Sequence, residues 1–491
     1  MSPVDPLRIH RLNDQPESAT GRYVLYWMVA NRRLRYNPAL QRAVHHANRL
    51  GQPLVVLEAL DGSYPWASQR HHRFVLDGMA EKAPQLADAG VTFLPYVEPE
   101  VGAGRGLLAA LTEAASVVVT DHWPFFHPGR RVAAAARSLP VALEAVDGVG
   151  VLPLAASERV YTTAASFRRH LHRALPDHLA ARPDATPLDD LACRVPAALP
   201  DAVLRGWPAA SEALLSGAAG ALDALDIDAE VGAVATLPGG AAAARAALDA
   251  FVRGPLSTYH ERERDLTRTT SSGLSPYIHF GHISTAEVLV AVLAGEGLTP
   301  DTMGELGGSR QGWGRLSEGA MGFLDELITW REAGQVYCAR HPEPDAYGAL
   351  QDWARQTLAE HADDPRPATY PLEAFATAQT HDDLWNACQQ QLRAEGTIHN
   401  YLRMYWGKKI LHWSASPQDA HRILFALNNR FALDGRDPSS TLNLMWTLGL
   451  FDRGWGPERP IFGKVRYMNR AGVERKFSTG GYLRRWTSPS A

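Results

Sequence analysis

The chain has 491 residues, which is too long for one compact core, so its length predicts two or three domains. Hydrophobic residues make up 45% and charged residues 21%, as in ordinary globular proteins, and a net charge of −4 excludes an overall polycation. Three cysteines without a CxxC pair argue against a disulfide framework or metal site, and no apolar signal or membrane segment is present, so we expect a soluble, cytoplasmic protein.

Residues 20–150 are predicted to form an α/β domain with a doubly wound parallel sheet. Apolar runs such as "RYVLYWMV", "PLVVLEAL", "VTFLPYVE" and "SVVVTD" alternate with helical stretches. This alternation is typical of a sheet that is covered by helices on both faces. No G-x-G-x-x-G follows the first strand, so the dinucleotide fingerprint is absent.

The rest of the chain is predicted to be helical. Residues 151–250 are rich in alanine and proline and indicate an interdomain connector with some helix. Residues 251–485 show helices broken by loops and no strand alternation, which predicts an all-α domain. Nine of the 13 tryptophans lie from residue 251 onward, with Trp486 as the last, and packing alone does not account for so many.

The segment "TTSSGLSPYIHFGHIS", residues 269–284, indicates a possible anion site. Serines and a glycine precede a helix that is predicted to start near Ser275, with serine as the N-cap and Pro276 at the first helical position. Free N–H groups at the positive end of a helix can cradle a phosphate. A well-capped helix without a ligand explains the same residues.

The segment "FLDELITWRE", residues 323–332, places Glu326 and Trp330 four residues apart, on one face of a predicted helix. There a carboxylate could hydrogen-bond a base while the neighbouring indole stacks on it. A surface glutamate above a core tryptophan is the alternative.

The stretch "GTIHNYLRMYWGKKILHW", residues 396–413, is predicted to be one helix without a clean apolar face. Trp406 and Trp413 are seven residues apart, two helical turns, and so point the same way. His399 and Arg403 lie on an adjoining stripe. A buried arginine needs an anionic partner. Asp434 of "LDGRDP" is a candidate, although that segment could be only a solvated turn.

From Arg453 onward the sequence contains nine Lys or Arg residues and only two glutamates. Aromatic residues are interleaved with the basic ones. Basic and aromatic side chains together are what a nucleic-acid surface needs, since the first neutralise phosphates and the second stack on bases. A solvated charged face is the plain alternative. The sign imbalance within an acidic chain favours DNA.

Together these segments resemble the class II branch of DNA photolyases, in the photolyase/cryptochrome family. The resemblance is dense from about residue 255 to 480 and thinner before that. It rests on the ordered segments "SGLSPYIHFGHIS", "FLDELITWRE", "THDDLWNACQQQL", "GTIHNYLRMYWGKKILHW", "LNNRFALDGRDP" and "ERPIFGKVRYMNRAGVERKF".

This resemblance implies an N-terminal antenna-type α/β domain, a connector, and a helical domain that binds FAD without a covalent bond and binds UV-damaged DNA. It further implies a carbon–carbon lyase that repairs cyclobutane pyrimidine dimers in blue light. Excited, reduced flavin would pass an electron to a dimer flipped out of the DNA stack. No metal and no obligate protein partner are implied.

The resemblance also implies roles for individual residues. Those matching the family's FAD contacts are Tyr259, Ser271, Ser272, Gly273, Leu274, Ser275, Arg403, Asn428, Asp434 and Arg436. Asn428 would face flavin N5, and Arg403 would pair with Asp434. Glu326 would contact the dimer, with Trp330 and Trp446 packing against its bases and Arg466 contacting DNA. The chain that carries electrons to the flavin would be Trp385, Trp406 and Trp413.

Two segments depart from the class II pattern, "TDHWPFFHPGRR" and "ERVYTTAASFRRHLHRAL". Both bear on a second, antenna chromophore, so its presence and identity stay open. The main alternative function is a cryptochrome-like photoreceptor without repair activity; against it stand Glu326, Trp330 and Trp446, and the end of the chain soon after "YLRRWTSPSA". A (6-4) photolyase and a flavin-free helical DNA-binding protein are further alternatives.

Overall fold

The structure is a computed structural model that describes residues 3–261, 266–267 and 271–487. Six strands form one sheet in the order β1-β6-β5-β2-β3-β4, and all neighbours are parallel except β1 and β6. Their bounds are Ile9–Arg11 (β1), Tyr23–Met28 (β2), Leu54–Leu60 (β3), Thr92–Val97 (β4), Ala115–Asp121 (β5) and Leu143–Val146 (β6).

Every predicted strand is present, and the doubly wound parallel sheet is confirmed. Leu25 in the central strand lies opposite Val55 of β3 and Val118 of β5, and all three are fully buried. Buried on both faces, these strands read as continuous apolar runs. The sequence did not reveal β1, which lies before residue 20, where the first domain was expected to begin.

The crevice where the strand order reverses, between β2 and β5, is occupied by the protein itself. The Asp121 carboxylate accepts hydrogen bonds from the backbone N–H groups of Val29, Ala30 and Asn31 at 2.7–2.9 Å. It also accepts the Tyr26 hydroxyl at 2.8 Å. Such crevices bind dinucleotides in related sheets. Here a buried carboxylate satisfies the backbone donors.

Seven helices accompany the sheet and the segment after it. They are Pro38–Leu50 (α1), Gln69–Asp88 (α2), Leu107–Thr112 (α3), Phe126–Ser138 (α4), Ala164–Ala180 (α5), Asp201–Gly206 (α6) and Glu212–Ser216 (α7). α5 belongs to the predicted connector, yet it packs against the helical half. Arg168 on α5 donates two hydrogen bonds, at 2.6 and 2.8 Å, to buried Asp325.

The C-terminal half is built from helices joined by loops, as predicted. Their bounds are Ala241–Arg253 (α8), Ser275–His279 (α9), Thr285–Gly295 (α10), Glu318–Leu324 (α11), Arg331–Arg340 (α12), Asp352–Glu360 (α13), Leu372–Ala376 (α14), Asp383–Glu395 (α15), Asn400–Trp413 (α16), Pro417–Phe431 (α17), Pro438–Thr447 (α18), Arg470–Lys476 (α19) and Gly480–Thr487 (α20). Among the described residues, no helix is long and apolar enough to cross a membrane.

A π-helical turn, Asp325–Trp330, joins α11 to α12 in one continuous run. Such turns are rare and are found most often at functional sites. The sequence predicted an ordinary helix here. Glu326 and Trp330 therefore do not stand one regular α-turn apart, as their spacing suggested, although both lie on this turn.

The predicted helix over 396–413 is shorter than expected. Gly396 ends α15 in the left-handed conformation at φ +67°, and α16 begins only at Asn400. His399 is the N-cap of α16, and its Nδ1 accepts the backbone N–H of Tyr401 at 3.2 Å. His399 therefore does not share a helical face with Arg403, although the sequence suggested that it would. Both faces of α16 are buried, which explains why its polar and apolar residues do not separate.

Buried Arg70 on α2 connects the sheet to the helical half. Its guanidinium donates to the carbonyls of Leu392 at 3.1 Å and Phe431 at 2.6 Å, at the carboxyl ends of α15 and α17. Helix ends leave such carbonyls without intrahelical partners and carry partial negative charge. A cation at two helix ends therefore fixes both helices against α2.

Candidate active site

An ion pair links three separate segments of the helical half. The Arg403 guanidinium on α16 donates to Asp434 Oδ1 at 3.0 Å, and the Ser275 hydroxyl on α9 donates to Oδ2 at 2.6 Å. The side chains of the arginine and the aspartate are only 13% and 12% exposed. The contact predicted from charge neutralisation is therefore present in the structure, and it reaches the serine-rich segment.

The serine-rich segment itself differs from the expected capped helix. α9 has five residues, Leu274 precedes it without a side-chain cap, and Ser275 is its first residue rather than its N-cap. The Ser275 hydroxyl is directed to Asp434 instead. Gly273 has φ +65°, a conformation that favours glycine. Residues 269 and 270 of the predicted cradle lie outside the described residues.

Asn428 lies on the last turns of α17 and is 1% exposed. Its amide nitrogen donates to Ser440 Oγ at 3.0 Å and to Asn429 Oδ1 at 3.2 Å. These bonds hold the amide in one orientation and leave its oxygen as the acceptor. Gly435 passes close by, since a Cβ there would come within 2.7 Å of the Asn428 carbonyl oxygen.

Glu326 is exposed on the π-turn, where the Tyr259 hydroxyl donates to its Oε2 at 2.8 Å. Burial and the nearby Glu326 carboxylate raise the pKa of Tyr259 well above its ordinary value. The tyrosine therefore stays protonated and acts as a donor. This bond brings together two residues that the resemblance assigned to different roles, one toward the cofactor and one toward the substrate.

Trp330 and Trp446 are both half-buried, on the π-turn and on α18. α18 packs along α12, which continues the π-turn. Arg466 lies beside the second indole, with its guanidinium carbon 5.4 Å from the ring centre of Trp446 and 4.0 Å from that of Trp455. Asp452 forms an ion pair with Arg466, because its Oδ2 lies 3.2 Å from the arginine Nε.

Three buried indoles form a continuous series between α15 and α16. Trp385 stacks on Trp406 at 6.3 Å between ring centres, with planes 4° apart, and meets Trp413 edge-on at 6.2 Å. Their exposure is 0%, 0% and 1%. Trp385 thus fills the space between the two indoles that project from one face of α16. Trp406 lies one turn beyond Arg403, so this end of the series is nearest the ion pair.

Arg436 is placed differently from the other predicted cofactor residues. Its buried guanidinium lies 5.1 Å over Tyr64 and 5.8 Å over Phe280, and Nε and Nη2 have no hydrogen-bond partner among the described residues. It lines a cavity at the carboxyl edge of the sheet, together with Asp61 and Arg131. The departing loop "TDHWPFFHPGRR" forms one wall of this cavity.

The residues around the Arg403–Asp434 pair are of the chemical types that could hold a flavin dinucleotide. A nearly buried cation–carboxylate pair, a small-residue segment and an oriented amide lie on neighbouring elements of one helical bundle. Among the described residues, no group of three or more His, Cys, Asp or Glu side chains is placed to hold a metal ion.

A family model for DNA photolyase matches residues 24–188. The chain is also 32% identical over 483 residues to a deoxyribodipyrimidine photo-lyase of Methanothermobacter thermautotrophicus, covering 97% of each protein. The chain belongs to the DNA photolyase family. It is accordingly an enzyme, a lyase of the photolyase type.

Solved structures agree on the fold. A class III photolyase from Agrobacterium tumefaciens matches with a TM-score of 0.67 at 19% identity, covering 96% of this chain and 87% of that one. A cryptochrome from Synechocystis sp. PCC6803 matches with the same score at 15% identity, covering 96% and 89%. A photolyase and a cryptochrome therefore share this architecture, so the fold alone does not separate their functions.

Sequence reasoning missed several residues that shape the site. Arg168 and Asp325 anchor the π-turn next to Glu326, but they come from segments 157 residues apart, so no local pattern revealed them. Ser440, which orients Asn428, was not singled out in the sequence. Lys408 was not singled out in the sequence either, although its side chain is fully buried.

Proposed function

We propose that this protein binds FAD noncovalently and repairs cyclobutane pyrimidine dimers in UV-damaged DNA with light, as a photolyase of the class II type. The exposed Glu326 carboxylate, held by the Tyr259 hydroxyl on a π-turn that also carries Trp330, is the observation that carries this proposal. A photoreceptor has no need for an oriented acid at an open aromatic surface. Residues 251–485 would form the FAD- and DNA-binding domain.

The residues of this chain would have separate roles at the cofactor and at the dimer. Arg403 and Asp434 would hold the flavin ring by charge and hydrogen bonding, and Tyr259 with residues 271–275 would contact the remainder of the cofactor. Asn428 would present its amide oxygen to a protonated ring nitrogen. When bound and reduced, FAD would be the electron donor that light excites. Glu326 would accept a hydrogen bond from the dimer and keep it in place.

We further propose residues 20–150 as the antenna-type domain and 151–250 as the connector. The cavity lined by Arg436, Asp61 and Arg131 would hold a second chromophore. Unpartnered guanidinium nitrogens and surrounding aromatic rings suit a planar, anionic molecule.

The deciding experiment is blue-light repair of an oligonucleotide that contains one cyclobutane dimer, by purified protein with chemically reduced flavin. We expect loss of the dimer in light and none in the dark. A (6-4) lesion in the same sequence should remain unrepaired. A cryptochrome-like photoreceptor would bind flavin and respond to light but leave the dimer intact, and that result would refute the proposal.

Replacing Trp330 or Trp446 by alanine should weaken binding to dimer-containing DNA by ~1–3 kcal/mol for each ring, because a flipped base loses its stacking partner. Binding to undamaged DNA should change much less, since basic residues near the C-terminus supply that affinity. Titrations with matched damaged and undamaged duplexes measure both values. Trp207→Ala, in the connector, is the control and should change neither. Equal losses on both duplexes would argue against a flipped-dimer pocket.

A further inference from the structure

Lys408 lies in the middle of α16 with its side chain fully buried. Lysine is almost never fully buried unless its ammonium has partners. Here Nζ donates to the backbone carbonyl of Thr447 at 2.6 Å and lies 4.8 Å from the ring centre of Trp446. The side chain thus reaches from one helix to the end of another and stops beside the indole proposed to face the lesion.

The position of this ammonium is closely fixed. Thr447 is the last residue of α18, where helix carbonyls carry partial negative charge. α16 and α18 approach closely at this point, since a Cβ on Gly407 would come within 2.9 Å of Thr447 Oγ1. A buried cation that is tied to a backbone atom in such a crossing has little freedom to move.

Two charged groups act on Lys408 from the segments packed around it, Asp452 and Arg466. Arg466 also lies against the Trp446 ring, so one indole is in contact with two cations. Burial lowers the pKa of Lys408 to about 7, Asp452 opposes that shift, and Arg466 adds to it. The bond to the Thr447 carbonyl and the indole contact favour the charged ammonium.

We propose that Lys408 is a positioning residue that fixes the plane of the Trp446 indole for stacking on a flipped-out lesion. This inference rests on the proposed repair function. A base stacks well only on a ring held in one plane, and the buried ammonium holds the ring from inside the protein. Contacts to the phosphates of undamaged DNA do not need that plane. Lys408 therefore increases the preference of the protein for damaged over undamaged DNA.

The first test replaces Lys408 by methionine, which has similar length and no charge. The ratio of the dissociation constants for undamaged and dimer-containing DNA should fall about tenfold, the size of a desolvated cation–π contact. Lys409→Met is the matched control, because it removes the same charge from the next residue, whose ammonium lies beside Tyr405 and Trp413 instead. Its ratio should equal that of the wild type.

The second test is decided on the wild type, so its outcome does not depend on how Lys408→Met folds. At constant ionic strength, the wild-type ratio should decline between about pH 6 and pH 8, as the ammonium with its pKa of about 7 loses its proton. Lys408→Met should show a low and pH-independent ratio. A purely structural lysine would leave the wild-type ratio constant over this range, even if its replacement lowered the melting temperature.

The outcomes separate this inference from the proposed function. A wild-type protein that does not prefer dimer-containing DNA at any pH contradicts the repair function itself. A wild type that prefers damaged DNA with a pH-independent ratio overturns only the role of Lys408. An unchanged ratio in well-folded Lys408→Met does the same.

Discussion

Replacing Asp434 by alanine is expected to release most of the bound FAD and to lower the free energy of unfolding by about 3 kcal/mol. Removing one partner of a nearly buried pair leaves the other charge uncompensated. Here the substitution leaves the Arg403 guanidinium without its carboxylate partner and also removes the acceptor of the Ser275 hydroxyl. Flavin absorbance retained after gel filtration, together with denaturant unfolding, measures both effects.

Two variants sharpen this test. Asp434→Asn keeps an acceptor for Ser275 but removes the charge, so it should fold better than the alanine variant and still bind flavin weakly. Asp201→Ala removes the carboxylate of an exposed pair with Arg205, whose side chains are 85% and 76% exposed. Surface pairs contribute little, so its stability should stay close to wild type. Wild-type flavin content in Asp434→Ala would contradict the assignment of this pair to the cofactor.

The features that sequence reasoning predicted correctly are those with a local or pairwise cause. Strands of the sheet are buried on both faces and therefore read as uninterrupted apolar runs. The contact between Arg403 and Asp434 followed from the need of a buried cation for a carboxylate. The spacing of Trp406 and Trp413 gave their common direction, because helical periodicity fixes it.

The features that were missed depend on distant parts of the chain. β1 has only three residues, Ile9–Arg11, and exists because β6 offers it an edge. The π-turn has no distinct composition, and its anchor Arg168 comes from the segment expected to be a connector. Burial of Lys408 depends on how closely α18 approaches α16. No local pattern encodes such a crossing.

Replacing Trp406 by phenylalanine is expected to abolish light-driven reduction of oxidised FAD by an external reductant. Trp406 stacks on Trp385 and is the member of the series nearest Arg403, so electrons from Trp413 would have to pass through it. Phenylalanine keeps an aromatic ring in the core but is far harder to oxidise than tryptophan. Absorbance of the flavin during illumination measures the rate.

The same variant should still repair dimers when its flavin is first reduced chemically, because the tryptophan series would supply electrons only for that reduction. Trp313→Phe is the matched control. Its indole is also fully buried, but it packs against His172 at 4.5 Å between ring centres, in a different part of the structure. It should show normal photoreduction.

A purely structural Trp406 predicts another pattern. Its indole N–H donates to Gln389 at 2.9 Å and its carbonyl accepts the indole N–H of Trp385 at 3.0 Å, so it also contributes to packing between α15 and α16. Loss of the first bond should lower stability, because it leaves the buried Gln389 oxygen without its donor. Normal photoreduction in a folded Trp406→Phe protein would show that these indoles are packing residues alone. Lost photoreduction with intact repair requires electron transfer through Trp406.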